Sequence, residues 1–401
     1  MAVSACSSQP VGPWQSQARI QVAGVGVTNT DCRAGFCQHD ENTDLIVWKG
    51  ELWFVHRTAQ SQILGPNSSL HLYKSTDGGA TFTEQARLLA LDSTAAPPDG
   101  RDLRDPHFFV VGDALWLKAI TRLPVNSTRD SNVDSRDVVS HTTDGTNWTL
   151  LTFAGEEHFS MWRVRQVGAT YHSAAYEDGD KSVVHFTSSD GVNWTRGATI
   201  YDVSADTPLE TELVSLDDAG ASLRAQAPDG TLVGLVRMDG TDLELLGDQG
   251  RLRTKVCHSV PPYASWSCPF EIAGQRFDGP AAFFWHGRLF VLARKHLGRD
   301  GRKRTSLFEL RGALGPNATA APTVLEWGEL PSAGDTAYSG VAPVAGVDGR
   351  FVTTWYSSDL GLDPHWVIGM LGATDIWRAT LDLQNLPDTP PTDPSYSLGT
   401  R

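Results

Sequence analysis

Short apolar blocks come in pairs along this chain, each pair split by a turn that contains Gly or Asp. The copies lie at residues 44–56, 107–118, 162–172, 212–237, 281–294 and 341–356, the fourth being longer than the others. Each copy reads as a β-hairpin. Their starts are roughly 50–70 residues apart, the length of a four-stranded propeller blade with its loops. Six copies predict an all-β, six-bladed β-propeller, and one degenerate copy would make the count five or seven. No amphipathic helix pattern is present. Residues 19–23 are expected to add a strand that closes the ring with the C-terminal blade. One propeller domain is expected over 17–385. Residues 1–16 and the Pro-, Asp-, Thr- and Ser-rich stretch 386–401 read as unpacked ends.

A second repeat punctuates the first. Ser75-Thr76-Asp77-Gly78-Gly79-Ala80-Thr81-Phe82, Thr142-Thr143-Asp144-Gly145-Thr146-Asn147-Trp148 and Ser188-Ser189-Asp190-Gly191-Val192-Asn193-Trp194 share one form. A hydroxyl residue precedes Asp-Gly, and an aromatic residue follows. The Asp carboxylate accepts backbone N–H bonds, Gly supplies positive φ, and the aromatic ring plugs the turn. These turns follow the first three hairpins, which puts them between the third and fourth strands of each blade, away from the axis.

At 401 residues the chain is long for one compact core, a limit that repeats escape because each unit packs on its neighbours. The 38 Gly, 13 Trp and only 4 Met suit a turn-rich β-protein. The formal net charge of −14, without a basic run, argues against nucleic acid as a partner. No apolar stretch has the length of a transmembrane span. Cys32 and Cys37 are close in sequence, as are Cys257 and Cys268, so two local disulfides leave Cys6 over. Val3-Ser4-Ala5-Cys6 has the form of a bacterial lipoprotein cleavage site, which makes Cys6 a candidate lipid-anchor residue. Disulfides and this site together predict an exported protein, secreted or held at the bacterial surface or in the periplasm, and monomeric.

Propellers bind ligands where the inner strands converge, so polar residues at inner-strand ends are the candidates. Glu210-Thr211-Glu212 opens the fourth hairpin and Arg237 closes it. Tyr338 opens the sixth, and a Tyr beside a Glu can lose its proton and act as a nucleophile. His39-Asp40-Glu41-Asn42 precedes the first hairpin, Arg104-Asp105-Pro106-His107 the second, and Glu156-Glu157-His158 the third. His39, Asp105, His107 and His158 are candidates to ring one cleft as general acids or bases. Their spacing matches no metal-ligand motif, and neither a metal nor a cofactor is expected. The alternative for each is a satisfied inner-strand residue that ties blades together.

These residues carry a resemblance. The three turns resemble the Asp-box, or BNR, repeats of the sialidase superfamily. Glu212, the strand after it, Asp229-Gly230 and Arg237 resemble the segment that holds the sialidase catalytic Glu and one arginine of its triad. Tyr338-Ser339-Gly340 with Trp355-Tyr356 resembles the segment that holds the nucleophilic Tyr. The likeness spans residues 40–383 and is nearest to a divergent branch, with Met161-Trp162-Arg163, Asp278-Gly279-Pro280 and Tyr356-Ser357-Ser358 among the matching stretches. It implies Tyr338 as nucleophile, Glu212 as its base, and arginines that bind a substrate carboxylate, drawn from Arg237, Arg294, Arg163, Arg57 and Arg104. The sialidase Arg-Ile-Pro motif is replaced here by Arg19-Ile20-Gln21, and the usual first-blade acid has no match.

Three functions follow as expectations. The first is an exo-acting glycoside hydrolase on an acidic or capped sugar at a glycan end. The second is a polysaccharide lyase that removes a proton next to a uronate, with His39, His107 and Tyr338 in the acid–base roles. The third is a non-catalytic glycan-binding lipoprotein.

Overall fold

A computed structural model describes residues 14–19, 31–63, 65–89, 101–122, 135–179, 181–241, 252–298 and 301–392, and of 14–19 and 241 only the backbone. Cys6, the stretch 20–23 and the ends beyond these limits lie outside the described residues.

The chain is all-β. In order, the strands are β1 (Trp14–Arg19), then β2 (His39–Trp48), β3 (Glu51–Ala59), β4 (Ser69–Ser75) and β5 (Thr83–Leu89). Next come β6 (Asp102–Val111), β7 (Ala114–Arg122), β8 (Arg136–Thr142) and β9 (Thr152–Ala154). They are followed by β10 (Phe159–Met161), β11 (Arg165–Val167), β12 (Thr170–Glu177), β13 (Val183–Ser188) and β14 (Thr195–Tyr201). Then come β15 (Pro208–Ser215), β16 (Leu232–Met238), β17 (Arg253–Ser259) and β18 (Ser267–Ala273). The last are β19 (Asp278–Trp285), β20 (Arg288–His296), β21 (Lys303–Arg311), β22 (Thr323–Leu330), β23 (Thr336–Pro343), β24 (Arg350–Ser358) and β25 (Thr374–Asp382).

Neighbouring strands pair antiparallel in five sheets. Four follow the chain: β6–β9, β10–β14, β15–β18 and β19–β22. The fifth has eight strands and joins the two ends of the chain, with β23-β24-β25 running on into β2-β3-β4-β5. Its seam is a single parallel pair, His39 opposite Thr374. β1 adds to the far side of β25, so the described N-terminal strand is 14–19, and of the expected 19–23 only Arg19 is among the described residues.

Most apolar clusters bridge neighbouring sheets, which makes the arrangement propeller-like. Val55, Leu70 and Leu72 pack with Leu117, Ala119 and Val138. Val233 and Val256 pack with Val291 and Phe308. Leu292 and Leu307 pack with Trp355 and Leu381. Within the eight-stranded sheet Phe54 of β3 packs with Val352, Tyr356 and Ile376 of β24 and β25, which closes the circle. A sheet with both faces covered reads as a near-continuous apolar run, and the six predicted hairpins sit on these runs. The third inner segment is broken, because β10 and β11 both pair with β12.

The repeated turns fold as their residues dictate. Asp144 Oδ1 accepts from the backbone N of Thr146 and of Asn147, both at 2.8 Å. Asp190 Oδ1 likewise accepts from Val192 and Asn193. The side chains of Asn147 and Asn193 donate back to their Asp. Gly145 has φ of +81°, and a Cβ there would fall 2.7 Å from the Trp53 ring. The disulfides Cys32–Cys37 and Cys257–Cys268 are formed. Among the described residues no helix is long and apolar enough to cross a membrane. Contrary to the sequence reading, two short helices are present, α1 (Ala221–Arg224) and α2 (Trp366–Leu371).

Candidate active site

Five inner strands carry the same irregularity. The ladder slips between Glu41 and Asp44 in β2, Arg104 and His107 in β6, and Pro208 and Thr211 in β15. It slips again between Asp278 and Ala281 in β19 and between Ala337 and Gly340 in β23. Asn42 at φ 52°, Asp105 at 45°, Gly279 at 55° and Tyr338 at 49° have left-handed backbone at these bulges, and Ala337 beside Tyr338 also has positive φ, 106°. A bulge bends its strand and re-aims a side chain. Non-Gly residues held there cost about 1–3 kcal/mol each, strain that concentrates at functional sites.

Three of these side chains, Asn42, Asp105 and Tyr338, line a cavity of about 340 Å³ together with Glu210, Arg104, Arg122, Arg237, Arg294 and Asp239. Trp366 and Met370 of α2 cover one side. A larger cavity, about 420 Å³, opens at the other ends of the inner strands. Most of its lining residues are apolar, and of its charged ones Asp44 pairs with Arg163 and Arg165 with Glu212. The smaller cavity is therefore the one equipped for chemistry.

Its centre is a hydrogen-bonded triangle. Tyr338 Oη donates to Glu210 Oε1 at 2.5 Å. Arg237 Nη1 donates to both Glu210 oxygens, at 2.8 and 2.6 Å, and to Tyr338 Oη at 3.2 Å. The Arg294 guanidinium lies 5.5 Å from the Tyr338 ring centroid. Gly279 supports the ring from behind: a Cβ there would fall 2.7 Å from it. Burial, and then the Glu210 charge, push the Tyr338 hydroxyl well above the usual phenol range. The phenol is thus protonated at rest, with a carboxylate placed to take its proton.

Asp105 has the opposite character. Its Oδ1 accepts from Asn42 Nδ2 at 2.6 Å. Burial first, and the Glu210 charge second, push its carboxyl up to about 7. A carboxylic acid that keeps its proton near neutral pH is suited to proton donation.

The arginines around the cavity are held by acids. Arg237 also pairs with Asp239 at 2.6 Å, and Arg294 with Asp335 at 2.9 Å. Arg104 pairs with Asp102 at 2.5 Å.

The structure brings together Tyr338, Asp105, Arg104, Arg237 and Arg294. It does not bring Glu212 to them. The Glu212 carboxylate accepts from Trp162 Nε1 at 3.0 Å and from Arg165, deeper along the axis. The bulge between Pro208 and Thr211 gives the Tyr338 contact to Glu210 instead. Arg163 bonds Asp44 and the carbonyl of Ser339 and so ties inner strands together. Arg57 is a fully buried tie from β3 to Glu41 and Asp102. His107 packs against the Trp162 ring, and burial together with the Arg163 charge lowers it to about 3. His39 is fully buried, with Nδ1 2.8 Å from the Gly372 carbonyl. Neither histidine lines the cavity, so the lyase reading loses its histidine base. His158 is exposed and faces Asp178. Sequence reasoning missed Asn42, Arg122, Asp239, Trp366 and Met370 as lining residues, and it chose Glu212 over its neighbour Glu210. The aligned starts Glu41-Asn42, Arg104-Asp105, Asp278-Gly279 and Ala337-Tyr338 are the signal that would have found the bulge positions.

No family model matches the chain, and no curated protein is similar to it in sequence. Solved structures are. A Hadza microbial sialidase, Hz136, matches with a TM-score of 0.56 at 14% identity, over 88% of this chain and 67% of that one. A mutant Trypanosoma rangeli sialidase that displays trans-sialidase activity matches at 0.60 and 13%, over 93% of this chain. This chain spans only 60% of that enzyme's length. The intramolecular trans-sialidase of Ruminococcus gnavus, in complex with oseltamivir carboxylate, matches at 0.62 and 11%, over 92% of this chain and 99% of that one. The all-β, propeller-like chain described here therefore has a sialidase-like fold.

Proposed function

We propose that the chain is an exported, exo-acting glycoside hydrolase that works with retention through Tyr338. In the first step Glu210 takes the Tyr338 proton as the phenolate oxygen attacks the anomeric carbon. Asp105 gives its proton to the leaving oxygen. In the second step water, deprotonated by Asp105, displaces Tyr338, which recovers its proton from Glu210. A Tyr nucleophile is an established departure from the two-carboxylate scheme. The observation that carries the reading is the Tyr338–Glu210–Arg237 triangle in the same cavity as Asp105, whose carboxyl burial pushes up to about 7.

The substrate class that fits is an acidic or capped sugar at a non-reducing end, met by Arg104, Arg237 and Arg294. A substrate anion would share these arginines with Asp102, Asp239 and Asp335. On this reading the eight-stranded sheet is two blades joined at one pair, which makes six blades in all. Export follows from the disulfides, with Cys6 as the proposed lipid attachment.

The test is a panel of aryl glycosides and purified glycans, scored for released monosaccharide. Wild type is expected to turn over at least one acidic or capped glycoside, and Tyr338→Phe to lose that turnover by a factor of about 10³ or more. Full turnover in Tyr338→Phe would remove the nucleophile from the account.

A further inference from the structure

Beside the cavity, where β2 meets the turn into β23, three fully buried side chains converge: His39, Glu41 and Asp335. His39 and Glu41 alternate along β2 and share a face, while Asp335 immediately precedes β23. His39 Nε2 lies 3.4 Å from Glu41 Oε2 and 3.9 Å from Asp335 Oδ2. The three atoms all fall within 4.8 Å of one another. Among the described residues, none of the three has a hydrogen-bond partner. Their companion atoms are all engaged. His39 Nδ1 meets the Gly372 carbonyl, Glu41 Oε1 accepts from Arg57, and Asp335 Oδ1 accepts from Arg294.

A carbonyl only accepts, so Nδ1 carries the ring hydrogen. In the neutral imidazole, Nε2 then turns its lone pair toward two carboxylate oxygens. Three electron-rich atoms that face one another in a dry interior repel unless a cation lies between them. A proton on Nε2 is a poor answer. The 3.4 and 3.9 Å separations exceed the roughly 2.7–3.2 Å of an N–H···O bond. An ion at the centre answers all three atoms. Bonds of about 2.0–2.2 Å in a tetrahedral arrangement hold ligand atoms roughly 3.4 Å apart. The Nδ1–H bond to a backbone carbonyl is the outer contact that orients metal-bound histidines.

We propose that His39, Glu41 and Asp335 bind one divalent transition-metal ion of the zinc class. One imidazole with two carboxylates suits such an ion better than Mg²⁺ or Ca²⁺, which take oxygen ligands. The two arginines do not depend on the ligands alone, since Arg57 also pairs with Asp102 and Arg294 lies 3.6 Å from Asp278. The ion's place is structural. His39 is the seam residue opposite Thr374, so the ion fastens the first strands of the sheet to the last. It also fixes Asp335, which holds Arg294 beside Tyr356 and over Tyr338. No sequence motif announces the site, because two donors lie at alternate positions of one strand and the third comes from the far end of the chain.

The test uses the purified full chain, stripped by refolding in chelator and then titrated with Zn²⁺ and with Co²⁺. One equivalent of zinc by elemental analysis is expected, with a rise in Tm of several degrees that chelator reverses. Co²⁺ is expected to give a visible d–d band and one hyperfine-shifted, exchangeable His N–H resonance. His39→Ala and Asp335→Asn should each weaken zinc binding by more than about 100-fold. A folded wild type that binds neither Zn²⁺ nor Co²⁺ would overturn the proposal, as would stoichiometric binding that both substitutions leave intact. If the variants do not fold, the wild-type Co²⁺ spectrum decides, and a bound ion without a histidine signal counts against it.

Discussion

Asp105→Asn separates the chemistry of the site from its cost. Asp105 sits at φ 45°, a conformation that Asn also tolerates, and the Asn carbonyl can keep the bond from Asn42. The substitution removes only the ionisation. A carboxyl raised from 3.8 to about 7 differs by about 4 kcal/mol between its two protonation states. The sign follows from linkage. The folded state holds this proton more tightly than the unfolded chain, so its stabilising contribution is complete below pH 4 and is lost as the pH rises to 7. Wild type is therefore expected to match Asp105→Asn near pH 4 and to fall behind it by up to about 4 kcal/mol at pH 8. Denaturant unfolding of both proteins at several pH values between 4 and 8 reads the difference directly. Activity should move the other way. The variant loses turnover of natural glycosides by about 10²–10⁴ but keeps more of it on aryl glycosides whose leaving group needs no proton. A stability difference that stays constant from pH 4 to 8 would refute the assignment of a raised, buried acid.

Other perturbations divide the machinery from its frame. Glu210→Gln should lower kcat by about 10²–10⁴, because it removes the base for Tyr338. Glu212→Gln should keep kcat within a few fold and cost about 1–3 kcal/mol in unfolding experiments, because that carboxylate bonds Trp162, Arg165 and the Ala282 backbone N and does not reach Tyr338. The reverse pattern would restore the role read from sequence. Gly279→Ala drives a methyl into the Tyr338 ring at a position with φ of 55°, so kcat should drop at least tenfold, measured beside a Tm lowered by several degrees. In wild type, activity should decline on the alkaline side as Asp105 loses its proton near pH 7, and a pH profile that stays flat to pH 9 would count against it as the acid.

The hairpins were legible because their physics is local. Apolar blocks around a Gly or Asp turn leave few alternatives, and the Asp144 and Asp190 turns form from residues within a few positions of one another. Strand starts were less legible. His39, Asp40 and Glu41 are polar, yet they belong to β2 and are fully buried, because partners such as Arg57 come from other strands. The choice of Glu212 over Glu210 failed for a related reason. Two residues along a strand share a face, and only the bulge in β15 decides which of them meets Tyr338. Nor does the local pattern announce α2, six residues long, which brings Trp366 and Met370 to the cavity. Tyr338, Asp105, Arg237 and Arg294 were legible because each stands near the start of an inner strand or the end of the strand paired with one, where the repeat register places it.

The claim that everything else serves is that Tyr338 attacks the sugar. A fluorinated glycosyl donor that slows the second step, followed by peptide mass mapping, tests it directly. The account predicts one added glycosyl unit on Tyr338, formed in wild type and absent in Tyr338→Phe. Turnover with the label on Glu210, or with no label on any residue, would contradict it.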